Sequence, residues 1–396
     1  MKISDIIVGT KRRKHRNPRR NRITQNDLYK PDLSKLSEGA RIQHVEDLTI
    51  WDGSAGARRA LNYLRKLESS PGDVTIKWDG KPAVIFGRNE KGEFVLTDKS
   101  AFGATTYHGK VTSKQDLRSM IANRKSKDEE ERQRRNAFAD QMAGIWDYFE
   151  KATPKDFRGY VHGDLLYFTT PKEIKGKLVF EPNTTTYFAD PHSDIGKKIA
   201  NSKIGVVLHQ YIDLDGNKSA SDASKFIKGD LLVMPPVFVT HTPDIDIPEV
   251  DRLDDLISKN ASQIDDLINV PSELKMSNFK DILYTYINNK TKAGQLENLG
   301  QDFMEWAEKS NLSDPKKNRL IDYVSQKKQS FGAMFQVIAG IMNVKNKIIA
   351  ELDNQPADIT AKTDGKPGGE GYVIGAGDAK LVNRSEFTAA NMARNN

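Results

Sequence analysis

Cysteine is absent from the chain. That excludes a disulfide framework, thiol catalysis, iron–sulfur clusters and thiolate zinc sites, and leaves lysine, histidine, carboxylates and hydroxyls to carry any chemistry. Also missing is any run approaching the roughly 18–20 uninterrupted apolar residues of a spanning helix, so no membrane partner is expected. The opening Met1-Lys2-Ile3-Ser4-Asp5-Ile6-Ile7 is too short and too charged for a secretory apolar region, and a cytoplasmic location is the expectation. Histidine is sparse, and His44, His108, His192 and His241 show no metal-ligand spacing. No repeat of solenoid length is visible.

What is present is room for two or three domains: 396 residues, 29% charged against 37% hydrophobic. The net charge of +7 is unevenly placed. Lys11, Arg12, Arg13, Lys14, Arg16, Arg19, Arg20 and Arg22 follow one another without an acid among them, and taking these eight from +7 leaves the rest of the chain at −1. The basic character therefore belongs to an arm over residues 1–30. Such an arm grips polyanions by counterion release without reading sequence; the alternative is a disordered solubilising tail.

Past the arm, Ala55, Ala60, Leu61, Leu64 and Leu67 recur at helical spacing and stop before Ser69-Ser70-Pro71-Gly72. Val74–Ile76, Ala83–Phe86 and Glu93–Thr97 read as strands of an antiparallel meander, with a hairpin signal at Asn89–Gly92. Residues 114–150 are helical by pattern, with a charged middle that reads as a solvated face. From Gly159 to about Thr240 the texture is short β runs, and from 245 to 353 it is helical. There Leu320, Val324, Phe331, Phe335, Ile338 and Met342 mark one long buried face. Two further strands, Gly371–Ile374 and Lys380–Val382, resemble the earlier β texture. The expected organisation is an α+β domain over residues 31–244, a helical insertion over 245–353, and a return to the first domain over 354–396.

The motif that suggests chemistry is Lys77-Trp78-Asp79-Gly80. A lysine at the end of a buried strand loses its proton more readily than a surface one, and a neighbouring cation such as Lys99 or Lys380 pushes the same way. The Asp-Gly step is expected to make a tight turn into the returning strand. The pattern occurs twice, because Lys362-Thr363-Asp364-Gly365 repeats it, but Lys362 sits among Pro356, Gly365, Pro367, Gly368 and Gly369 and is read as a solvated loop lysine. Lys77 also has company downstream, in order: His162-Gly163-Asp164, Ile204 through His209 ending a strand, Glu370-Gly371-Tyr372-Val373, and Lys380.

With these motifs in this order the sequence resembles the covalent nucleotidyltransferase superfamily of ATP-dependent DNA ligases, RNA ligases and capping guanylyltransferases. The resemblance covers about residues 70–240 and 360–385. It implies an antiparallel-sheet, ATP-grasp-like ligase adenylation domain, interrupted here by the helical module. Lys77 becomes the nucleophile that takes AMP from ATP, passes it to a 5′-phosphate end, and allows a 3′-hydroxyl to displace it. By family position Asp79 and Gly80 complete the lysine motif and contact the nucleotide, Lys99 contacts nucleotide or 5′-phosphate, Asp164 bonds the ribose and His209 stacks on adenine. Lys380 contacts the α-phosphate, and Glu370 together with Asp164 holds Mg²⁺. The stretch from Phe180-Glu181-Pro182-Asn183-Thr184 to Ile204-Gly205-Val206-Val207 also looks like an uncharacterised family from tailed phages, which implies a phage protein working in the host cytoplasm.

The pattern is not complete. Asp164 stands where glutamate is usual, and Val382 occupies the position of a second lysine, with Arg384 the nearest replacement. Only Leu381 to Asn396 follow the last motif, so no C-terminal OB-fold is expected; the insertion, through Lys316, Lys317, Arg319, Lys327 and Lys328, is expected to serve as the clamp. The partner is then nucleic acid, DNA or RNA, and the protein a monomer. A GTP-using capping-type enzyme and a non-catalytic nucleic-acid-binding phage protein are the rival classes. Neutralising the eight arm cations should flatten the salt dependence of polyanion binding, read as the slope of log K against log salt, by up to about 0.9 for each phosphate no longer neutralised.

Overall fold

The computed structural model describes residues 42–69, 74–103, 111–219, 229–355, 357–374 and 379–395. The basic arm, with Arg12, Arg13, Lys14, Arg16, Arg19 and Arg20, lies outside them. In chain order the elements are α1 (Leu48–Ser69), β1 (Val74–Ile76), β2 (Ala83–Arg88), β3 (Phe94–Asp98), α2 (Lys99–Phe102), α3 (Lys114–Ala122), α4 (Glu129–Ala152), β4 (Gly159–Tyr167), β5 (Lys172–Ile174), β6 (Lys177–Phe180) and β7 (Thr185–Ala189). There follow α5 (Asp194–Ala200), β8 (Ile204–Ile212), β9 (Lys218–Ser219), β10 (Leu231–Val233), α6 (Ile247–Ile268), α7 (Phe279–Lys292), α8 (Leu299–Lys309), α9 (Asp314–Gln326) and α10 (Lys328–Asp353). The chain closes with β11 (Ile359–Thr363), β12 (Lys366–Pro367), β13 (Tyr372–Ile374), β14 (Ala379–Leu381) and α11 (Arg384–Asn395).

The protein is a mixed α+β structure, and the strands of the described residues form three sheets. The central one has the order β10-β8-β4-β2-β3, with β9 on the far end of β8. It is antiparallel except for the parallel pair β8–β10. Its face buries Val84, Phe86, Val161 and Val206 against Leu117 and Ile121 of α3 and Met142, Trp146 and Phe149 of α4. A second sheet, β12-β11-β7-β6-β5, packs Leu178, Phe180, Tyr187 and Ile359 onto Trp78, Leu166 and Tyr167. The third, β1-β13-β14, turns Val74, Tyr372, Ile374 and Leu381 into the helical core.

β2 and β3 form the expected hairpin, but β1 pairs with β13 and not with β2. The helix α1 joins the helical module: Leu61, Leu64 and Leu67 share a core with Leu253, Ile257 and Ile264 of α6 and with Val337, Ile341 and Val344 of α10. A kink at Gly53, φ +59°, allows that approach. A β-carbon there would stand 2.3 Å from Asp265 Oδ1, and the same carboxylate accepts from Ser54 N and Oγ, both at 2.7 Å. The buried face from Leu320 to Met342 belongs to two helices, not one. The chain breaks at Lys327, whose N–H bonds to the Tyr323 and Val324 carbonyls and whose ammonium pairs with Asp266.

Four buried charges pin the start of the described chain to its end. Lys345 Nζ donates to Glu46 at 2.8 Å with both side chains fully buried, and Arg384 grips Asp47 bidentately at 2.9 and 2.7 Å. Burial pushes the Glu46 carboxyl up, but the Lys345 and Arg384 cations outweigh it and hold it low. Removing one partner of such a cluster strands a desolvated charge, at a cost of about 3–5 kcal/mol.

At the end of α10, Tyr372 Oη donates to Asp353 Oδ1 at 2.8 Å, tying β13 to the helices. Burial pushes the Asp353 carboxyl up to about 6 from its ordinary 3.8; the Tyr372 bond pulls it down and Glu386 pushes it up. The folded chain therefore holds this proton more tightly than the unfolded one. That contribution to stability is full below about 3.8 and is lost as pH rises through about 6. An Asp353→Asn variant should show a smaller fall in Tm between pH 4 and pH 7 than the parent, measured by thermal denaturation across that range.

Candidate active site

The register Val74↔Ile374, Thr75↔Val373, Ile76↔Tyr372 places the end of β1 against the start of β13. It continues one step further, since Lys77 N–H donates to the Gly371 carbonyl at 2.9 Å. Glu370 is the next residue out, and its carboxylate forms an ion pair with Lys77 Nζ, the two side chains only 18% and 24% exposed. Gly371, φ +130°, allows the strands to close: a β-carbon there would lie 2.0 Å from the Leu381 carbonyl oxygen. β14 then sets Lys380, buried, opposite Val373. Burial pushes the Glu370 carboxyl up, a rise opposed by the Lys77 and Lys380 charges and helped by Asp79.

The Lys77–Gly80 segment does not turn back into β2. It runs from the small sheet to the central one, held by Asp79. That buried carboxylate accepts from Asn183 Nδ2 (2.8 Å), Thr184 N (2.9 Å), Thr184 Oγ1 (2.6 Å) and Thr185 N (3.1 Å), while Asp79 N–H donates to Tyr187 Oη at 2.7 Å. Asp79, expected as a nucleotide contact, is thus a structural anchor, and Asn183, Thr184 and Tyr187 are partners that sequence reasoning missed. The signal available was the polar run Asn183-Thr184-Thr185 after Pro182, whose backbone N–H groups need an acceptor. Gly80 packs on β4, where a β-carbon would sit 2.6 Å from Asp164 Cβ.

Asp164 faces Ala83 of β2 and accepts or shares a hydrogen bond with His209 Nε2 at 2.8 Å. His209 does not end its strand. The pairing of β4 with β8 shifts between His162↔Gln210 and Gly163↔Leu208, leaving His209 as the extra residue of a β-bulge that aims its ring at Asp164. The His162 ring lies 5.4 Å from it, centroid to centroid. Burial raises the Asp164 carboxyl, but the His209 hydrogen bond and the charges of His209, His162 and Lys77 overcome it and hold the carboxyl below its ordinary range. Lys77, Glu370, Lys380, Asp164 and His209 are thereby gathered from five separate stretches of chain.

Other expected residues lie elsewhere. Lys99 is exposed at the start of α2, one step beyond β3 and at the same rim of the central sheet as Asp164, two strands away. Asp98 before it caps α2 and pairs with Arg124 at 2.6 Å. Lys362 belongs to β11, not to a loop. Its exposed ammonium lies 5.9 Å from the Phe188 ring, and Asp364 and Gly365, with φ of 51° and 78°, make the hairpin to β12. Arg384 is committed to Asp47 and Val382 is buried, so neither supplies the second cation of the last motif. Lys316, Lys317 and Arg319 ride on α9, which packs on α8 and α10.

Among the described residues no group of three or more histidines or carboxylates forms a metal site. Mg²⁺ is commonly held by one or two carboxylates with substrate phosphates and water completing the shell; the carboxylates of this site are Glu370, paired with Lys77, and Asp164, bonded to His209.

The chain belongs to DUF6267, a family of unknown function, which matches residues 40–396. Neither curated proteins nor solved structures give a match. Among the described residues no helix is long and apolar enough to cross a membrane.

Asp79→Ala should cost about 3 kcal/mol or more, because it leaves two N–H groups and a hydroxyl buried without their acceptor. Chemical denaturation should register it as a lower midpoint, with Asp79→Asn falling between the two.

Proposed function

We propose that this chain is an ATP-dependent polynucleotide ligase that works through a lysyl-adenylate. The observation carrying the reading is the half-buried ion pair of Lys77 with Glu370, with the Asp164 carboxylate acting on the Lys77 charge and the Lys380 cation on the Glu370 charge. A lone surface lysine would not be expected to pair with a carboxylate from the segment just before β13 while a second carboxylate from β4 and a buried cation from β14 act on the pair.

In this mechanism Glu370 orients the Lys77 amine. Once that amine has shed its proton it attacks the α-phosphorus of ATP; a P–N bond forms, the bond to the β-phosphate oxygen breaks, and pyrophosphate leaves. Lys380, fixed by strand pairing, offers a stationary cation to the α-phosphate. Asp164, kept ionised by His209, accepts a hydrogen bond from a ribose hydroxyl, which gives His209 a positioning role where stacking on adenine was expected. Mg²⁺, held by Glu370 and Asp164, would supply charge neutralisation to the phosphates. AMP then passes from Lys77 to a 5′-phosphate, and a 3′-hydroxyl displaces it.

The test is incubation with α-labelled ATP or GTP and Mg²⁺, followed by denaturation and a search for acid-labile label on the chain. Label from ATP, abolished by Lys77→Ala and retained by Lys362→Ala, is the expected result. Label from GTP would move the chain to the capping class, and none from either nucleotide would leave a binding protein.

A further inference from the structure

Only Ile174 and Phe238 are large hydrophobic side chains left exposed among the described residues, at 53% and 54%. Ile174 stands beside a hairpin turn at Lys175 and Gly176. Phe238 is different, because hydrogen bonds fix the backbone on either side of it. Ile76 N–H donates to the Val237 carbonyl at 2.9 Å and Val239 N–H to the Val74 carbonyl at 2.8 Å, so residues 237–239 run antiparallel along the free edge of β1 with Phe238 opposite Thr75.

Facing residues on paired strands share one side of a sheet, and neighbours along a strand alternate. Val74, Ile374 and Tyr372 point into the helical core. Phe238, Thr75, Val373 and Lys380 therefore form a row across the other side. Lys77 lies two residues beyond Thr75, its pairing carried on by the bond to Gly371, and so shares that side. The spacings of a sheet put the Phe238 and Lys77 backbones about 7 Å apart along the strand and about 5 Å across it. Direction matters as well. Asp164 meets the chain at Gly80, after Lys77, whereas Phe238 flanks the strand before it. A nucleotide whose ribose rests on Asp164 occupies one flank of the amine and leaves the other open to the second substrate.

We infer that Phe238 is a stacking platform for a nucleobase at the polynucleotide end that receives AMP, an inference that rests on the ligase reading above. A ring held by strand pairing on both sides is pre-oriented, and base stacking on an aromatic side chain tolerates any sequence, as the joining of arbitrary ends requires.

The experiment separates charging from transfer in the full-length chain. Label on Lys77 from ATP is measured without polynucleotide; passage of AMP from the charged protein to a 5′-phosphorylated oligonucleotide is measured afterwards, with an intact or an abasic 5′ residue. Phe238→Ala should raise the apparent KM of transfer to the intact oligonucleotide about tenfold more than it affects charging, the scale of one stacked base. Phe238→Trp should recover most of that loss, and the abasic end should cost the parent a similar factor while costing Phe238→Ala nothing further. Equal transfer by parent and Phe238→Ala, or a loss confined to charging, would overturn the inference and leave the ligase reading intact. If the parent takes no label, the ligase reading fails, and the fluorescence of Phe238→Trp still decides for the platform. Quenching by the intact but not the abasic oligonucleotide supports it, and no quenching by either removes it.

Discussion

Three residue pairs between β1 and β13 close the chain on itself across almost three hundred positions, and the candidate site exists only because of that closure. Each strand has three residues, too short to persist alone. They hold because Val74, Tyr372 and Ile374 bury one face in the helical core, while residues 237–239 and β14 pair with the outer edges. Lys77 and Glu370 lie just past the paired segment. Their contact is therefore a consequence of register, and a slip of one residue in either strand would turn its member of the pair to the other side of the sheet.

The same economy governs Asp79. One carboxylate satisfies polar groups on three consecutive residues, 183 to 185, and so joins the lysine segment to the second sheet. A buried acid without such donors would be costly; with them it fixes the path of the backbone on which Lys77 depends. The Glu46–Lys345 and Asp47–Arg384 pairs act likewise at the opposite border. They anchor the segment that bridges to Lys380 through the Gln43 carbonyl.

Much of the local structure is legible in the residues. The β2–β3 hairpin, the helices over 114–150 and 245–353 and the strands around 160–212 follow from periodicity and turn chemistry, because those signals act within a few residues. The placements that cannot be read are those that depend on distant partners. β1 carries an ordinary strand pattern, yet nothing in it distinguishes β2 from β13 as its neighbour. Asp79 has the pattern of half a tight turn, and its true role depends on threonines a hundred positions away. His209 reaches Asp164 through a bulge, which a strand pattern does not announce. The second Lys-x-Asp-Gly carries an exposed lysine, as its surroundings imply, though that lysine belongs to a strand and not to a loop.

By itself the amino-acid sequence determined the absence of thiol chemistry, the run of cations between Lys11 and Arg22, the α+β alternation and the ordered set Lys77, Asp164, Glu370 and Lys380, since composition and short-range pattern are properties of the covalent chain. Only the tertiary structure decided that Lys77 touches Glu370, that Arg384 serves Asp47 and that α1 belongs with the later helices. Those outcomes turn on which apolar faces and buried charges find one another, and that is settled by packing across the whole molecule.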